Sequence, residues 1–316
     1  MHERPLISVV TACYNSEAFI ERTYASVKAQ TYKNLEWIVV DDGSRDDTFG
    51  ALNRFPADGV IPIELLALSE NCGSERAIRQ GVLRARGEFT LILDHDDELV
   101  PTALEALMDH WAAFAGSHDR LSGVGGRCRD ENGEFVGTPL PSSPMVTNEL
   151  ELRHVYKVRG ELAGMVRTDV LREAFSEFER GMTHGMMWYR IARRYNAIFT
   201  NDVVRIYHTD IPTSMSRAGV RYPEAAMRAV LCYLNENADY IGRDLPFFVK
   251  QTVIYARYCK GAGKPASESL RHLNSRLLRL VYRACLPFLP LLALRDRAMR
   301  RRNRLRVSQA PRRVRA

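Results

Sequence analysis

Four short β-branched runs, separated by helical stretches, constrain this 316-residue chain more than any other feature. Residues 6–11, 35–40, 62–68 and 89–93 are apolar, β-branched and bounded by polar residues, so each reads as a buried strand. Between them, residues 17–30 carry Phe19, Ile20, Tyr24 and Val27 at helical spacing, and 48–55 and 74–86 also read as helices. Gly87 stands at the C-terminal cap position of the third helix, and Pro101 opens a fourth that runs to about Ala115. Strand and helix thus alternate about every 25 residues. That alternation predicts an α/β fold with a doubly wound, mostly parallel sheet flanked by helices.

In such sheets ligands bind beyond the carboxyl ends of the strands. Polar clusters stand there: Thr11 to Asn15, Asp41 to Ser44, and Asp94 to Asp97. If the chain stays extended through Asp94-His95-Asp96, the two carboxylates point the same way. Such a pair can hold Mn2+ or Mg2+ and leave positions for phosphate oxygens; the competing reading is a helix N-cap ahead of Pro101. At Asp41-Asp42, one carboxylate can accept from a base N–H or a ribose hydroxyl while the other caps the turn. Tyr14 can pack on a nucleobase or serve the core. Arg76 and Arg79, three residues apart on one helix, can reach a diphosphate or simply face solvent.

Other chemistries lack their motifs. No GxGxxG follows the first strand, no GxxxxGK[ST] occurs, and no GxSxG is present, which counts against dinucleotide dehydrogenases, P-loop ATPases and nucleophile-elbow hydrolases. A nucleotidyltransferase would show a glycine- and basic-rich loop after the first strand, and Thr11 to Glu17 has none. Six cysteines form no CxxC pair, which fits a reducing cytosol better than a zinc ribbon or a disulfide framework.

Several ordered motifs together resemble the family 2 glycosyltransferases of the GT-A fold. They are residues 7–15, 26–32 and 36–44, then Asn71 to Gly73, then Gly87 through Asp97. The resemblance implies a nucleotide-sugar donor, usually a UDP-sugar, and inverting transfer to a hydroxyl of a carbohydrate or glycolipid acceptor. It places the segment from Ala12 to Tyr14 and Asp42 on the nucleoside, and Asp94 and Asp96 in the metal-binding DxD; Thr11, Asn71 and Arg76 complete the candidate donor contacts. Residues 164–167 resemble the segment that helps form the acceptor side. His208, in Arg205-Ile206-Tyr207-His208, resembles a later family histidine and is a candidate third metal ligand.

One departure matters. The family usually carries Glu-Asp before a helix such as Met186 to Arg194, with the aspartate as general base, and here Thr183-His184-Gly185 stands in that place. Inverting transfer needs a group to take the acceptor proton, and histidine titrates near neutrality. His184 is therefore the expected base, with Glu177 or Glu179 as substitutes. A non-catalytic sugar-nucleotide binding protein is the reading this departure favours if none of them serves.

Beyond residue 116 the alternation weakens. Residues 123–137 are glycine-rich and hairpin-like, 139–150 read as a mobile loop, 167–175 and 186–194 as helices, and 197–207 as containing a strand. From Pro223 the pattern is helical. The expected division is a nucleotide-sugar half over 1–115, an acceptor half over 116–220 and a helical extension over 221–316. The net charge of +7 hides an asymmetry: residues 295–316 hold ten arginines against Asp296, so the rest of the chain is close to neutral. A near-neutral body argues against a specific nucleic-acid groove. An apolar stretch beside an arginine run suits an anionic membrane surface, reached through residues 280–316; the alternatives are a helix packed on the catalytic body with a disordered tail, or non-specific RNA binding. The start of the chain shows no signal region and no apolar run is long enough to span a bilayer, so the expected location is cytoplasmic, peripheral at the inner face of the cell membrane.

Overall fold

The computed structural model describes residues 4–176, 184–208 and 223–290. The chain divides into two compact units, Met1–Ala218 and Gly219–Ala316.

The first unit is built on one nine-stranded sheet. Its strands are β1 (Ile7–Cys13), β2 (Leu35–Asp41), β3 (Ile63–Ala67), β4 (Phe89–Ile92), β5 (Glu98–Leu99), β6 (Leu121–Asp130), β7 (Met145–Thr147), β8 (Leu162–Arg167) and β9 (Asn196–Tyr207). The order is β3-β2-β1-β4-β8-β6-β9-β5, with β7 beside β9. The four expected strands form the parallel half, β3-β2-β1-β4. Antiparallel pairing begins where β8 enters between β4 and β6. Strands from both sides of residue 115 therefore share one sheet.

Helices cover both faces. They are α1 (Ile20–Lys28), α2 (Thr48–Arg54), α3 (Ser74–Arg84), α4 (Ala103–Phe114), α5 (Glu149–His154), α6 (Thr168–Ser176) and α7 (His184–Arg194). The period-2 alternation of the strands assigns each face its own core. Val9 and Trp37 pack with Tyr24, Phe55 and Leu104 on one side. Val10 and Ile38 pack with Ile78, Val82, Val170 and Phe175 on the other. Both clusters are close to fully buried, and each large side chain so buried contributes about 1.5–3 kcal/mol.

Two local expectations change. Gly87 is not the cap of α3, which ends at Ala85. A Cβ at Gly87 would sit 2.6 Å from Ser8 N and 2.7 Å from Leu6 O, so the glycine is there for the close approach of the chain to β1. Residues 139–150 are not an unstructured loop. Met145–Thr147 pairs antiparallel with Ala197–Phe199 of β9, and Asn148 caps α5 by accepting from Glu151 N.

The second unit contains α8 (Pro223–Glu236), α9 (Leu245–Gly261), α10 (Ala266–Arg271) and α11 (Arg276–Cys285). Helix α9 is its centre: Phe248, Tyr255, Ala256 and Cys259 are buried, and it packs against α8 and α11. The rings of Tyr255 and Tyr282 lie 5.8 Å apart, and Ser275 caps α11 through Leu278 N. No described helix is long and apolar enough to cross a membrane.

Candidate active site

Strand register brings the polar clusters to one rim. Cys13, Asp41 and Ala67 form one row across β1, β2 and β3, and Ile92 of β4 pairs with Val10. The segments after Cys13, Asp41, Ala67 and Ile92 therefore leave the sheet on the same side.

The loops after β1, β2 and β3 are tied together by the acids that end β2. Asp41 Oδ1 accepts from the backbone N and hydroxyl of Ser44. Asp42 is 2% exposed, and its two oxygens accept from Cys72 N at 2.7 Å and Gly73 N at 2.8 Å. Asp42 thus shapes the 71–73 loop at the start of α3. Gly43 fits beside that loop only as glycine: its φ is +68°, and a Cβ would meet Glu70 C at 2.7 Å and Asn71 N at 2.9 Å. Asn15, also at positive φ, accepts from Arg45 N and donates its own N–H to Ser44 Oγ.

The donor candidates separate into two groups. Tyr14, Asn71 and Arg76 are exposed on these loops and on α3, and Ala12 is half-buried. Thr11 differs from expectation. It is fully buried, and its hydroxyl accepts from Trp37 Nε1 at 3.0 Å, so it braces the sheet from within. Arg79 donates to the carbonyl of Phe175 at 3.4 Å.

Residues 94–97 form a turn rather than an extended segment, with Asp97 N donating to Asp94 O at 3.2 Å. Helix α1 holds this turn: Thr23 Oγ1 donates to the carbonyls of His95 and Asp97, and Arg22 donates to that of Asp96. Asp94 is exposed, Asp96 half-buried and Asp97 buried. Neither Asp96 nor Asp97 is the N-cap of the helix that follows, whose cap position is Thr102.

Arg205 of β9 lies beneath this turn, its side chain 7% exposed. Its Nη1 is 3.2 Å from Asp94 Oδ2 and 3.4 Å from Asp97 Oδ2, its Nη2 is 3.4 Å from Glu161 Oε2, and its Nε donates to Cys128 Sγ at 3.3 Å. Burial opposes the guanidinium charge, but the surrounding groups, Asp94 and Asp97 among them, outweigh it and hold the pKa above the ordinary arginine value. Burial also pushes the Asp97 carboxyl up to about 7, against the pull of Arg205.

His208 is drawn into the same framework. Its backbone N donates to Asp97 Oδ1 at 3.0 Å, and its Nε2 lies 2.7 Å from Glu98 Oε1. Among the described residues no three His, Cys, Asp or Glu side chains are arranged to hold a metal. His208 is a partner of Glu98 in this structure. The turn removes the extended geometry expected to aim Asp94 and Asp96 the same way, but both supply hard carboxylate oxygens, and Asp94 borders a cavity. Carboxylate oxygens are the donor type that Mn2+ or Mg2+ takes.

That cavity, of about 330 Å³, opens on the β8-β6-β9 side of Asp94. Asp94, Glu161 and Arg205 are among its charged lining residues, with Glu149 and Arg153, and Trp188, Ile191 and Phe199 line its apolar wall. Trp188 and Ile191 belong to α7, which His184 opens. The side chain of His184, and Glu177 and Glu179 entirely, lie outside the described residues. Sequence reasoning missed Arg205, Glu161, Arg22 and Thr23. A lone arginine on an alternating strand carries no signal that it is buried beneath a turn 111 residues earlier.

A curled sheet flanked by helices, with acids at the rim of its parallel half, is the architecture of GT-A glycosyltransferases. The chain belongs to Glycosyl transferase family 2, whose family model matches residues 8–170, just over half of it. It is 25% identical over 272 residues to the GalNAc(5)-diNAcBac-PP-undecaprenol beta-1,3-glucosyltransferase of Campylobacter jejuni, covering 81% of this chain and 84% of that protein. Other relatives are far longer: the chain spans 23% of an uncharacterized glycosyltransferase from Rickettsia bellii and 8% of the O-antigen biosynthesis protein RfbC from Myxococcus xanthus. Among solved structures, S. aureus TarS in complex with UDP-GlcNAc has a TM-score of 0.58 at 18% identity, covering 88% of this chain and 87% of that one. The mannosyltransferase PcManGT from Pyrobaculum calidifontis, in complex with GDP-Man and Mn2+, has a TM-score of 0.52 at 20% identity over 94% of this chain. At these identities the structural likeness speaks for the fold.

Proposed function

We propose that this protein is a metal-dependent inverting glycosyltransferase. It moves a sugar from a nucleotide-sugar, a UDP-sugar in our reading, to a hydroxyl of a lipid-linked or polysaccharide acceptor. The observation that carries the reading is Asp94. Asp94 stands at the rim of the parallel strands and lines a cavity on one side, with the loops of Tyr14 and Asn71 and the start of α3 at Arg76 on the same rim. The Campylobacter relative's name, with its undecaprenol-linked substrate, supports a lipid-linked acceptor. The Mn2+ in the archaeal neighbour's structure and the UDP-sugar in that of TarS support the metal and the donor.

Each group has a role in this reading. Tyr14, Ala12 and the loop shaped by Asp42 receive the nucleoside, and Arg76 approaches the diphosphate. Asp94 and Asp96 hold Mn2+ or Mg2+, which when bound offsets charge on the departing diphosphate. Arg205 fixes Asp94 in place and keeps the buried Asp97 compensated. The acceptor enters the cavity walled by Trp188, and His184 at the start of that helix takes the hydroxyl proton. Glu161, whose carboxylate also lines the cavity, is the competing base. The enzyme works at the inner face of the cell membrane, against an anionic surface that residues 280–316 contact.

Transfer or donor hydrolysis, measured over a panel of nucleotide sugars with Mn2+ and then with EDTA, tests the reading. Metal-dependent turnover of one donor is expected. Binding of a nucleotide sugar with no turnover on any acceptor would leave only a sugar-nucleotide binding protein.

A further inference from the structure

Helix α11 is amphipathic in an unusual way, because its apolar sector is wider than its buried sector. Leu278, Tyr282 and Cys285 face the core of the second unit and are buried. At roughly 100° per residue, Leu277, Leu280 and Ala284 fall on a second stripe beside them. That stripe is open: Leu277 is 43% and Leu280 59% exposed, and Phe288, in the 3-10 turn that follows, is 60% exposed. Arg276, Arg279 and Arg283 form the next stripe around the helix. With Arg271 they line one surface hollow that also includes Leu280.

The charge is one-sided. Residues 271–290 contain four arginines and no acid, and residues 295–316 add ten arginines against one acid. Among the described residues none of the four arginines has a carboxylate partner. An exposed leucine and phenylalanine stripe flanked by arginines is the pattern of a helix lying in a membrane interface, apolar face toward the acyl chains and guanidinium groups among the phosphates.

We propose that α11 docks flat on an anionic phospholipid surface, Leu277, Leu280 and Phe288 entering the headgroup boundary and Arg271, Arg276, Arg279 and Arg283 pairing with lipid phosphates. The proposal deepens the membrane-face reading above and rests on it only for the location, not for catalysis. It predicts an apolar component of binding that an arginine-rich tail alone would not supply.

Flotation of the full-length protein with phosphatidylcholine vesicles, and with phosphatidylcholine–phosphatidylglycerol vesicles, tests it without donor or acceptor. Wild type is expected to float with the anionic vesicles only. The variant Leu277→Asp/Leu280→Asp, which keeps every arginine, should lose on the order of tenfold or more in partitioning while its melting curve stays unchanged. Arg276→Gln/Arg279→Gln/Arg283→Gln should weaken binding most at low salt. Equal flotation of wild type and the leucine variant would overturn the proposal. So would a lowered melting temperature or a changed oligomeric mass in that variant, since either would mean that the chain itself or a second copy covers the stripe. Donor turnover in solution, measured on the same proteins, reports the transferase reading separately.

Discussion

Arg205 Nη1 lies 3.2 Å from Asp94 Oδ2, so a buried cation on the ninth strand grips the first carboxylate of the DxD turn. The same nitrogen lies 3.4 Å from Asp97, whose side chain is 1% exposed. Removing one partner of a buried charge pair leaves the other uncompensated. Arg205→Met is therefore expected to lose about 3–5 kcal/mol in urea denaturation, with Asp97→Asn in the same chain recovering part of the loss. Additive losses in the double variant would remove the coupling.

The β2 acids make a second prediction. Asp42 accepts from two backbone N–H groups of the loop that begins α3, and no other described group accepts from both. Asp42→Ala should cost about 1–3 kcal/mol through those unmet donors and should weaken nucleotide binding by loosening Asn71 and Arg76. Isothermal titration with UDP, beside a denaturation curve, measures both.

Glu36 yields a pH prediction. Burial alone would raise its pKa, but Ser8 and the backbone and side chain of Arg86 together hold the carboxyl below its ordinary value. A carboxyl depressed in the folded state stabilises above its unfolded pKa, and that stability disappears as pH falls through the folded one. Stability should therefore decline below about pH 4 in wild type, and Glu36→Gln should be less stable at neutrality with a flatter acid limb. Parallel acid limbs for the two proteins would contradict the assignment.

Much of this was legible in the sequence. The β-branched runs gave the four parallel strands, and the polar clusters after three of them marked the rim where those strands leave the sheet. The missing parts depend on partners distant in sequence. β7 is a three-residue strand in a proline- and serine-rich stretch, ordered by pairing with β9. Gly87 looked like a helix cap because capping is a local rule, whereas its real constraint is the backbone of β1. Thr11 looked like a strand-end ligand, and only its bond to Trp37 shows that it points inward. The pairing of His208 with Glu98 likewise depends on a partner 110 residues away.

His184 is the expected base. His184→Ala should lower turnover by about 10²–10⁴-fold while UDP binding stays unchanged, and Glu161→Gln should leave the pH profile of turnover intact. Unchanged turnover in the histidine variant, with a collapse in Glu161→Gln, would move the role to Glu161.

The central claim is that Asp94 and Asp96 hold a cation against the donor diphosphate. The direct measurement is UDP affinity by isothermal titration with Mn2+ and with EDTA, for wild type and for Asp96→Asn, a residue outside the Arg205 contacts. The account predicts that Mn2+ strengthens UDP binding to wild type by on the order of tenfold or more, and that Asp96→Asn abolishes the gain without lowering the melting temperature. UDP binding that is equally tight with EDTA, or equally metal-dependent in Asp96→Asn, would contradict it.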